Sequence, residues 1–131
     1  MSFYLSKVYR LMDPKDFLEL AKSIYQDRSN LVEARQRTAI SRAYYSAFHI
    51  LKPISVKIDP SIALVTSGEI HEKVITALKK SKEGKHRVLG DKLFTLRGNR
   101  NTADYHLGEI VDRKLTQDSI DLVENLIQKA S

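Results

Sequence analysis

Apolar residues recur every three or four positions along most of this chain, which is the spacing of helices that each bury one face. No segment carries a convincing strand pattern, and the connections between the periodic stretches are short. Short connections favour antiparallel neighbours. The sequence therefore predicts one domain over residues 1–131, all-α, folded as an up-and-down bundle of four to five helices.

The first half of the chain predicts two helices. Asp13 is a plausible N-cap of the first, with Pro14 in its first turn. The second runs from about residue 30 to 52 and is expected to end at Pro53. Residues 53–68 contain two prolines and several β-branched residues, so they predict an irregular connection with, at most, a short extended piece. The core stripe of the second helix comprises Ile40, Ala43, Tyr44, Ala47, Phe48 and Leu51.

The second half predicts three more helices. One spans about residues 69–82, and the next begins near His86 and is expected to stop at Gly98. Thr116 is a candidate cap for the last helix. The predicted inward residues of these three helices are Ile70, Val74, Ala77 and Leu78, then Leu89, Leu93 and Leu96, then Ile120, Val123, Ile127 and Ala130.

Composition excludes several classes of function. With 42% hydrophobic and 29% charged residues, the chain has the composition of a globular domain. It has no cysteine, which removes disulfides, thiolate zinc sites and thiol nucleophiles. The histidines show no metal-binding spacing, and no phosphate-binding glycine loop is present, so we expect no metal and no cofactor. The absence of a long apolar run or a signal-like start predicts a cytoplasmic protein without membrane contact.

The net charge of +6 is concentrated in one part of the chain. Residues 72–100 hold nine Lys and Arg against three acids, whereas the remainder has 13 of each sign. Clustered positive charge attracts a polyanion such as RNA, although a solvated, lysine-rich helix end has the same composition. The predicted contacts to an RNA backbone are Lys80, Lys82, Lys85 and Arg87.

The helical pattern is interrupted by polar residues in LRGNRNTADYHLGE, residues 96–109. A histidine, with a reference pKa of about 6.5, exchanges a proton at neutral pH, and an arginine can hold a phosphate and stabilise charge developing on it. Arg100, Asn101 and His106 are therefore candidates for cutting RNA without a metal. In the plainer interpretation Arg100 pairs with Asp104 and His106 is a surface bystander.

Two stretches together resemble the HEPN domain family: RAYYSAFHILK, residues 42–52, and LRGNRNTADYH, residues 96–106. The second matches the family's motif of an Arg and a His separated by four to six residues, here Arg100 and His106. It also has the Asn that often follows the Arg, and the R-N-x-A-D-Y form of one branch of small archaeal and bacterial members. The resemblance covers most of the chain.

The resemblance implies a helical bundle, usually dimeric, and in many members a metal-independent ribonuclease of toxin–antitoxin or defence systems. Two copies of the motif meet across the dimer, and the products carry 2′,3′-cyclic phosphates. Carried over, Arg100 and His106 are catalytic and Asn101 supports them, while Asp104 is expected to position Arg100 or Arg97. One branch pairs with a nucleotidyltransferase antitoxin that adds AMP to a Tyr two residues after the motif His. That position is Gly108 here, and Tyr105, which we expect to support the site together with Asp104, instead precedes the His.

Other family members are non-catalytic binding modules, often beside nucleotidyltransferases, and that alternative stays open. Catalysis requires Arg100 and His106 within about one phosphate's width of each other, on a basic and accessible surface. An Arg or His buried in a salt bridge favours the binding module.

On the second helix, Arg42, Tyr45 and His49 share a face beside the core stripe. One alternative is that these residues line the same cleft as the motif. The other, which we expect for Tyr44, Tyr45 and His49, is a packing seam between helices. Arg42 and Arg97 are also predicted to contact RNA.

Overall fold

The computed structural model describes residues 12–26 and 31–131, and these residues form five α-helices with no strand among them. The predicted all-α helical bundle is confirmed. None of the described helices combines the length and the hydropathy needed to cross a lipid bilayer. The helices are α1 (Lys15–Gln26), α2 (Val32–Ile58), α3 (Ile70–Lys80), α4 (Gly84–Tyr105) and α5 (Arg113–Ala130), with a 3₁₀-helix (Pro60–Leu64) between α2 and α3.

The long helix α2 is the centre of the bundle, because each of the other four helices packs against it. Consecutive helices also pack on each other, as an up-and-down bundle requires. The predicted stripe on α2 is buried throughout, and it meets the buried leucines and valines of α3, α4 and α5. Burial of these stripes is the main source of stability for such a helix.

The prediction that Pro53 ends the second helix is wrong: α2 continues to Ile58 with Pro53 inside it. Pro53 lies on the exposed side of α2. Ser55 is fully buried on the opposite side and its hydroxyl donates to the Lys52 carbonyl over 2.6 Å. Packing beyond the proline therefore outweighs its cost of about 3 kcal/mol. Residues 53–68 are accordingly mostly helical rather than irregular.

The predicted stop at Gly98 is also wrong, since α4 passes through it and ends at Tyr105. Gly98 is exposed, and buried residues on both sides of it, Leu96 and Ala103, anchor the helix to the core. A glycine inside a helix costs only about 1 kcal/mol, which this burial exceeds. Gly90 is a different case, because a Cβ there would lie 3.0 Å from the Leu78 Cβ where α3 and α4 approach closely.

The two predicted N-caps have opposite outcomes. Asp13 caps α1 as expected, with Oδ1 accepting from the Lys15 N–H over 2.9 Å. The last helix is capped by Asp112, whose Oδ1 accepts from the Leu115 N–H over 2.9 Å, and not by Thr116. Thr116 is buried one turn inside α5 and donates to the Asp112 carbonyl. The predicted start of the second helix, near residue 30, falls outside the described residues.

Candidate functional site

Arg100 lies near the end of α4 and is held by an acidic residue one turn further along. Its Nε donates to Asp104 Oδ2 over 2.9 Å. The same carboxylate oxygen accepts from the Ser41 hydroxyl of α2 over 3.1 Å. Asp104 therefore pairs with Arg100 and not with Arg97, and it links α4 to α2. Only 12% of the Arg100 side chain is exposed.

Three tyrosine rings surround the same guanidinium. Its carbon lies 5.7 Å from the ring centre of Tyr44, 5.3 Å from that of Tyr45 and 5.3 Å from that of Tyr105. The Nη2 group also donates to the Tyr45 hydroxyl over 2.8 Å and to the Tyr105 hydroxyl over 3.3 Å. Cation–π attraction and these hydrogen bonds fix the orientation of the Arg100 side chain.

The other two motif residues are less enclosed. Asn101 is half-buried, and its Oδ1 accepts from Arg100 Nη1 over 3.3 Å. His106 is the C-cap of α4, and 55% of its side chain is exposed. Its Nδ1 lies 3.9 Å from a carboxylate oxygen of Glu109. The motif thus has two unlike halves: an arginine engaged by neighbouring side chains and a histidine open to solvent.

The end of α4 is closed by Arg37 of α2, a residue that the sequence does not single out. Its Nη1 donates to the carbonyls of Thr102, Ala103 and His106 over 3.1, 3.0 and 3.3 Å, and its Nη2 donates to the carbonyl of Glu109. The carbonyls of Thr102 and His106 also accept from the backbone N–H groups of His106 and Glu109, over 3.1 and 3.0 Å. Arg37 therefore adds a second donor to these two and supplies a side-chain donor to Ala103 and Glu109 at the end of the helix. Arg37 fixes the backbone position of His106, and its own side chain is 11% exposed.

A second histidine, His71 of α3, approaches the same region from the side. Its Nδ1 lies 2.6 Å from the hydroxyl of the fully buried Tyr44. Burial, the nearby guanidinium groups of Arg100 and Arg97, and His49 together lower the pKa of His71 to about 4, so this ring is neutral at pH 7. Burial raises the pKa of the Tyr44 hydroxyl, which is therefore protonated. No pattern in the sequence indicated His71 as a neighbour of the motif.

The aromatic residues of α2 form the expected seam. Tyr44 is buried, Tyr45 is half-buried, and the His49 ring stacks on Phe17 of α1 at 5.6 Å. Burial lowers the pKa of His49, and Lys52 contributes to the effect. Tyr45 has a second role, because its hydroxyl also accepts the hydrogen bond from Arg100.

Arg42 also lies close to this group of rings, and Arg97 lies on the same helix as Arg100. The Arg42 guanidinium carbon is 5.0 Å from the ring centre of Tyr45 and its Nη2 donates to Ser41 Oγ over 3.4 Å. Arg97 precedes Arg100 by one helical turn, and its Nε is buried without a hydrogen-bond partner. The structure therefore brings Arg42 to the motif, in which Arg97 already lies by its sequence position.

The predicted RNA contacts Lys80, Lys82, Lys85 and Arg87 are not brought to the motif. They surround the turn between α3 and α4, at the start of a helix of 22 residues whose far end carries His106. At 1.5 Å per residue, Lys85 and His106 lie about 30 Å apart along that helix. The three lysines are exposed, whereas Arg87 donates to the carbonyls of Ser81 and Lys82, both over 2.9 Å.

In the described part of the chain, no three His, Asp or Glu side chains come together in a way that could hold a metal ion. The carboxylate nearest to the motif arginine, Asp104, already accepts from Arg100 and Ser41.

Comparison with known proteins finds a relative in an archaeon. The chain is 27% identical, over 123 residues, to the uncharacterized protein MJ0628 of Methanocaldococcus jannaschii. The alignment covers 86% of this chain and 74% of that relative. No known family profile matches the chain. No solved structure matches it either. The similarity to MJ0628 indicates that sequences of this kind exist in an archaeon, and it assigns no activity.

Proposed function

We propose that this chain is a HEPN-like endoribonuclease that cuts RNA without a metal ion and works as a homodimer with a composite site. The observation that carries the proposal is the position of His106, an exposed imidazole immediately after the helix that holds Arg100. An accessible histidine six residues after an oriented arginine supplies one group that exchanges a proton and one that can hold a phosphodiester.

In the proposed reaction the 2′-hydroxyl of a nucleotide attacks the adjacent phosphorus. The bond between O2′ and phosphorus forms, the bond to O5′ breaks, and a 2′,3′-cyclic phosphate remains. One His106 accepts the proton of the 2′-hydroxyl and the His106 of a second copy, in its protonated form, gives a proton to O5′. Exposed apolar side chains beside His106, those of Tyr105, Leu107 and Ile110, offer a surface for the second copy.

Arg100 is proposed to hold the phosphate, with Asn101 orienting it. Two of the four contacts of Arg100, those to Asn101 and Tyr105, are 3.3 Å long and involve residues that are not buried. Phosphate oxygens would replace these two contacts at small cost, because a charge-assisted hydrogen bond is stronger than a long neutral one. The shorter contacts, to Asp104 and Tyr45, would keep the guanidinium oriented.

The engagement of Arg100 also favours a second candidate of a different class. A motif arginine that is 12% exposed and paired with a carboxylate is what a non-catalytic module would have, with the side chain serving to join α2 and α4. Such a module would bind a protein partner, for which the resemblance suggests a nucleotidyltransferase.

RNA cleavage in the presence of EDTA distinguishes the two candidates. The parent protein is incubated with structured RNA beside His106→Gln, which keeps the backbone contact to Arg37 and removes the titrating group. His86→Gln, at the opposite end of α4, is the matched control. We expect cleavage by the parent and the control, with 2′,3′-cyclic phosphate ends, and none by His106→Gln.

Arg100→Lys tests the second half of the motif, since lysine keeps the charge but not the planar fork. We expect its cleavage rate to fall at least tenfold, or about 1.4 kcal/mol in the barrier, with the fold retained by circular dichroism. Absence of cleavage by the parent, or equal cleavage by parent and His106→Gln, would reject the nuclease and leave the binding module.

A further inference from the structure

The aromatic seam between α1 and α2 has a rim in which rings and a guanidinium group are in direct contact. The Arg42 guanidinium carbon lies 5.0 Å from the ring centre of Tyr45 and 5.8 Å from that of Phe17. The ring centre of His49 lies 5.6 Å from that of Phe17 and 6.1 Å from that of Tyr45. These four side chains therefore form one contiguous group, which we call the ring cluster.

The ring cluster is joined to the motif through Tyr45. The Tyr45 hydroxyl accepts from Arg100 Nη2 over 2.8 Å, and the Arg100 guanidinium carbon lies 5.3 Å from the centre of the same ring. Arg42 contacts that ring as well. Two cations thus share one ring, and a strand whose phosphate is held by Arg100 has the ring cluster next to it.

His49 is the member of the ring cluster that is most open to solvent, because its side chain is exposed while the other three are half-buried. Its ring is held nearly parallel to that of Phe17, with 18° between the planes, and at 28° to that of Tyr45. Burial, with a contribution from Lys52, lowers the pKa of His49, so the ring is mainly neutral at pH 7. An exposed, neutral ring whose orientation is fixed by two neighbouring rings is suited to stacking rather than to charge pairing.

Rings that alternate with cations are what proteins use to hold a single strand of nucleic acid, because every base has a π-face and every nucleotide has a phosphate. A base inside an RNA helix is not available for such stacking, since neighbouring base pairs cover its faces. Arg42 has donors to spare for a phosphate: its one hydrogen bond within the described residues is a 3.4 Å contact to the neutral Ser41 hydroxyl.

We infer that the ring cluster binds an unpaired nucleotide of the RNA strand, with the base stacked against His49 and the phosphate held by Arg42. Phe17 and Tyr45 support the His49 ring from within the seam. The inference rests on the proposed function, which places the cleaved phosphate at Arg100, and it adds that the substrate is single-stranded next to the cut.

The test measures binding apart from cleavage. The ligand is a short single-stranded RNA with 2′-O-methyl groups, which lacks the attacking hydroxyl. One base at a time is replaced by 2-aminopurine, whose fluorescence falls when it stacks on a ring. We expect saturable binding with quenching concentrated at one position, and no further quenching when the same strand is first annealed to its complement. Absence of binding, or binding without quenching at any position, would overturn the inference.

Two substitutions of His49 separate stacking from packing. His49→Phe keeps a flat ring, and we expect it to keep both the affinity and the quenching. His49→Leu keeps an apolar side chain without a ring, and its affinity should fall at least about fivefold, the lower end of what one stacked base contributes, with the quenching lost. Phe94→Leu removes an exposed ring that contacts Lys79 and is the matched control, expected to bind like the parent. Equal affinities of His49→Leu and the parent would reject the stacking surface.

Arg42→Gln tests the phosphate contact, and it is the second variant if His49→Leu does not fold. Loss of one phosphate contact should weaken binding and reduce the slope of log affinity against log salt by about 0.7, whereas His49→Leu should leave that slope unchanged. An unchanged slope in Arg42→Gln would remove the arginine from the site. The proposed nuclease fails in a different way, since unmodified RNA would then be bound with quenching but not cut.

Discussion

The two ends of α4 carry positive charge in opposite ways. At the lysine end, defined by Lys80, Lys82 and Lys85 around the turn before the helix, the charges are exposed. At the motif end, defined by residues 97–106, the Arg100 guanidinium is enclosed by a carboxylate and three tyrosine rings. The sequence places both sets in one basic stretch, but the structure separates them by nearly the whole length of a 22-residue helix.

This difference shows what a count of charges leaves out. An exposed lysine interacts with any anion, weakly and in a salt-dependent manner. An enclosed arginine holds neighbouring elements in place, and removing it leaves buried polar groups without partners. The motif end therefore should determine stability, and the lysine end should determine long-range attraction. The following predictions compare the two ends through the free energy of unfolding.

The largest effect is expected for Arg37→Ala at the motif end. Four carbonyls at the end of α4 and in the following turn lose the hydrogen bond from Arg37, and two of them, those of Thr102 and His106, keep a backbone donor. We expect the free energy of unfolding to fall by about 2–3 kcal/mol, measured by urea denaturation. Arg87→Ala is the matched variant at the other end, where an exposed arginine caps α3, and should cost less than about 1 kcal/mol. Equal losses would contradict the comparison.

A smaller effect is expected for Asp104→Asn, which weakens the link from Arg100 to Ser41. The loss should be about 1–2 kcal/mol, because the arginine is mostly enclosed and the hydrogen bond is charge-assisted. A double-mutant cycle with Arg100→Gln should give a coupling energy above about 0.5 kcal/mol. Asp91→Asn breaks the 3.8 Å exposed pair with Lys79 nearer the lysine end, and should change stability by less than about 0.5 kcal/mol. Additive effects of Asp104→Asn and Arg100→Gln would show that the pair is not coupled.

Acidification should weaken the motif end through His71. Its pKa is lowered in the folded protein, so the unfolded chain binds a proton more readily between about pH 6.5 and about pH 4. Stability that is present above about pH 6.5 is therefore lost as the pH falls through this window, by about 1 kcal/mol once screening by solvent is included. Denaturation at several pH values should show this slope in the parent and a reduced one in His71→Gln. An unchanged slope would assign it to other groups.

The helical periodicity was sufficient to predict the fold, because the residues that repeat every three or four positions on α2 are the ones the bundle buries. Local stop signals were less informative. Pro53 and Gly98 carry costs of about 3 and 1 kcal/mol, and packing of distant residues outweighs both. Whether a breaker ends a helix depends on burial beyond it, which the local pattern does not contain.

The site was predictable only in part, for the same reason. Arg100 and Asp104 lie one turn apart on a helix, so their pairing follows from spacing alone. The contacts made by Arg37 and His71 join segments that are 26 or more residues from the motif, and nothing in their local sequence marks them. The separation of the lysines from the motif followed from helix length, but only once α4 was known to continue through Gly98.

The smallest effect on stability is expected at the lysine end. Replacing Lys80, Lys82 and Lys85 together by Gln should change the free energy of unfolding by less than about 0.5 kcal/mol, since all three side chains are exposed. RNA binding should nevertheless change. Loss of three phosphate contacts reduces the slope of log affinity against log salt by about 2 for a single strand. Arg100→Gln should show the opposite pattern: it should lower the free energy of unfolding and change the slope of log affinity against log salt by less than about 1. If the triple variant leaves the salt slope unchanged, RNA does not contact the lysine end, and the positive charge relevant to RNA is that of the enclosed arginines.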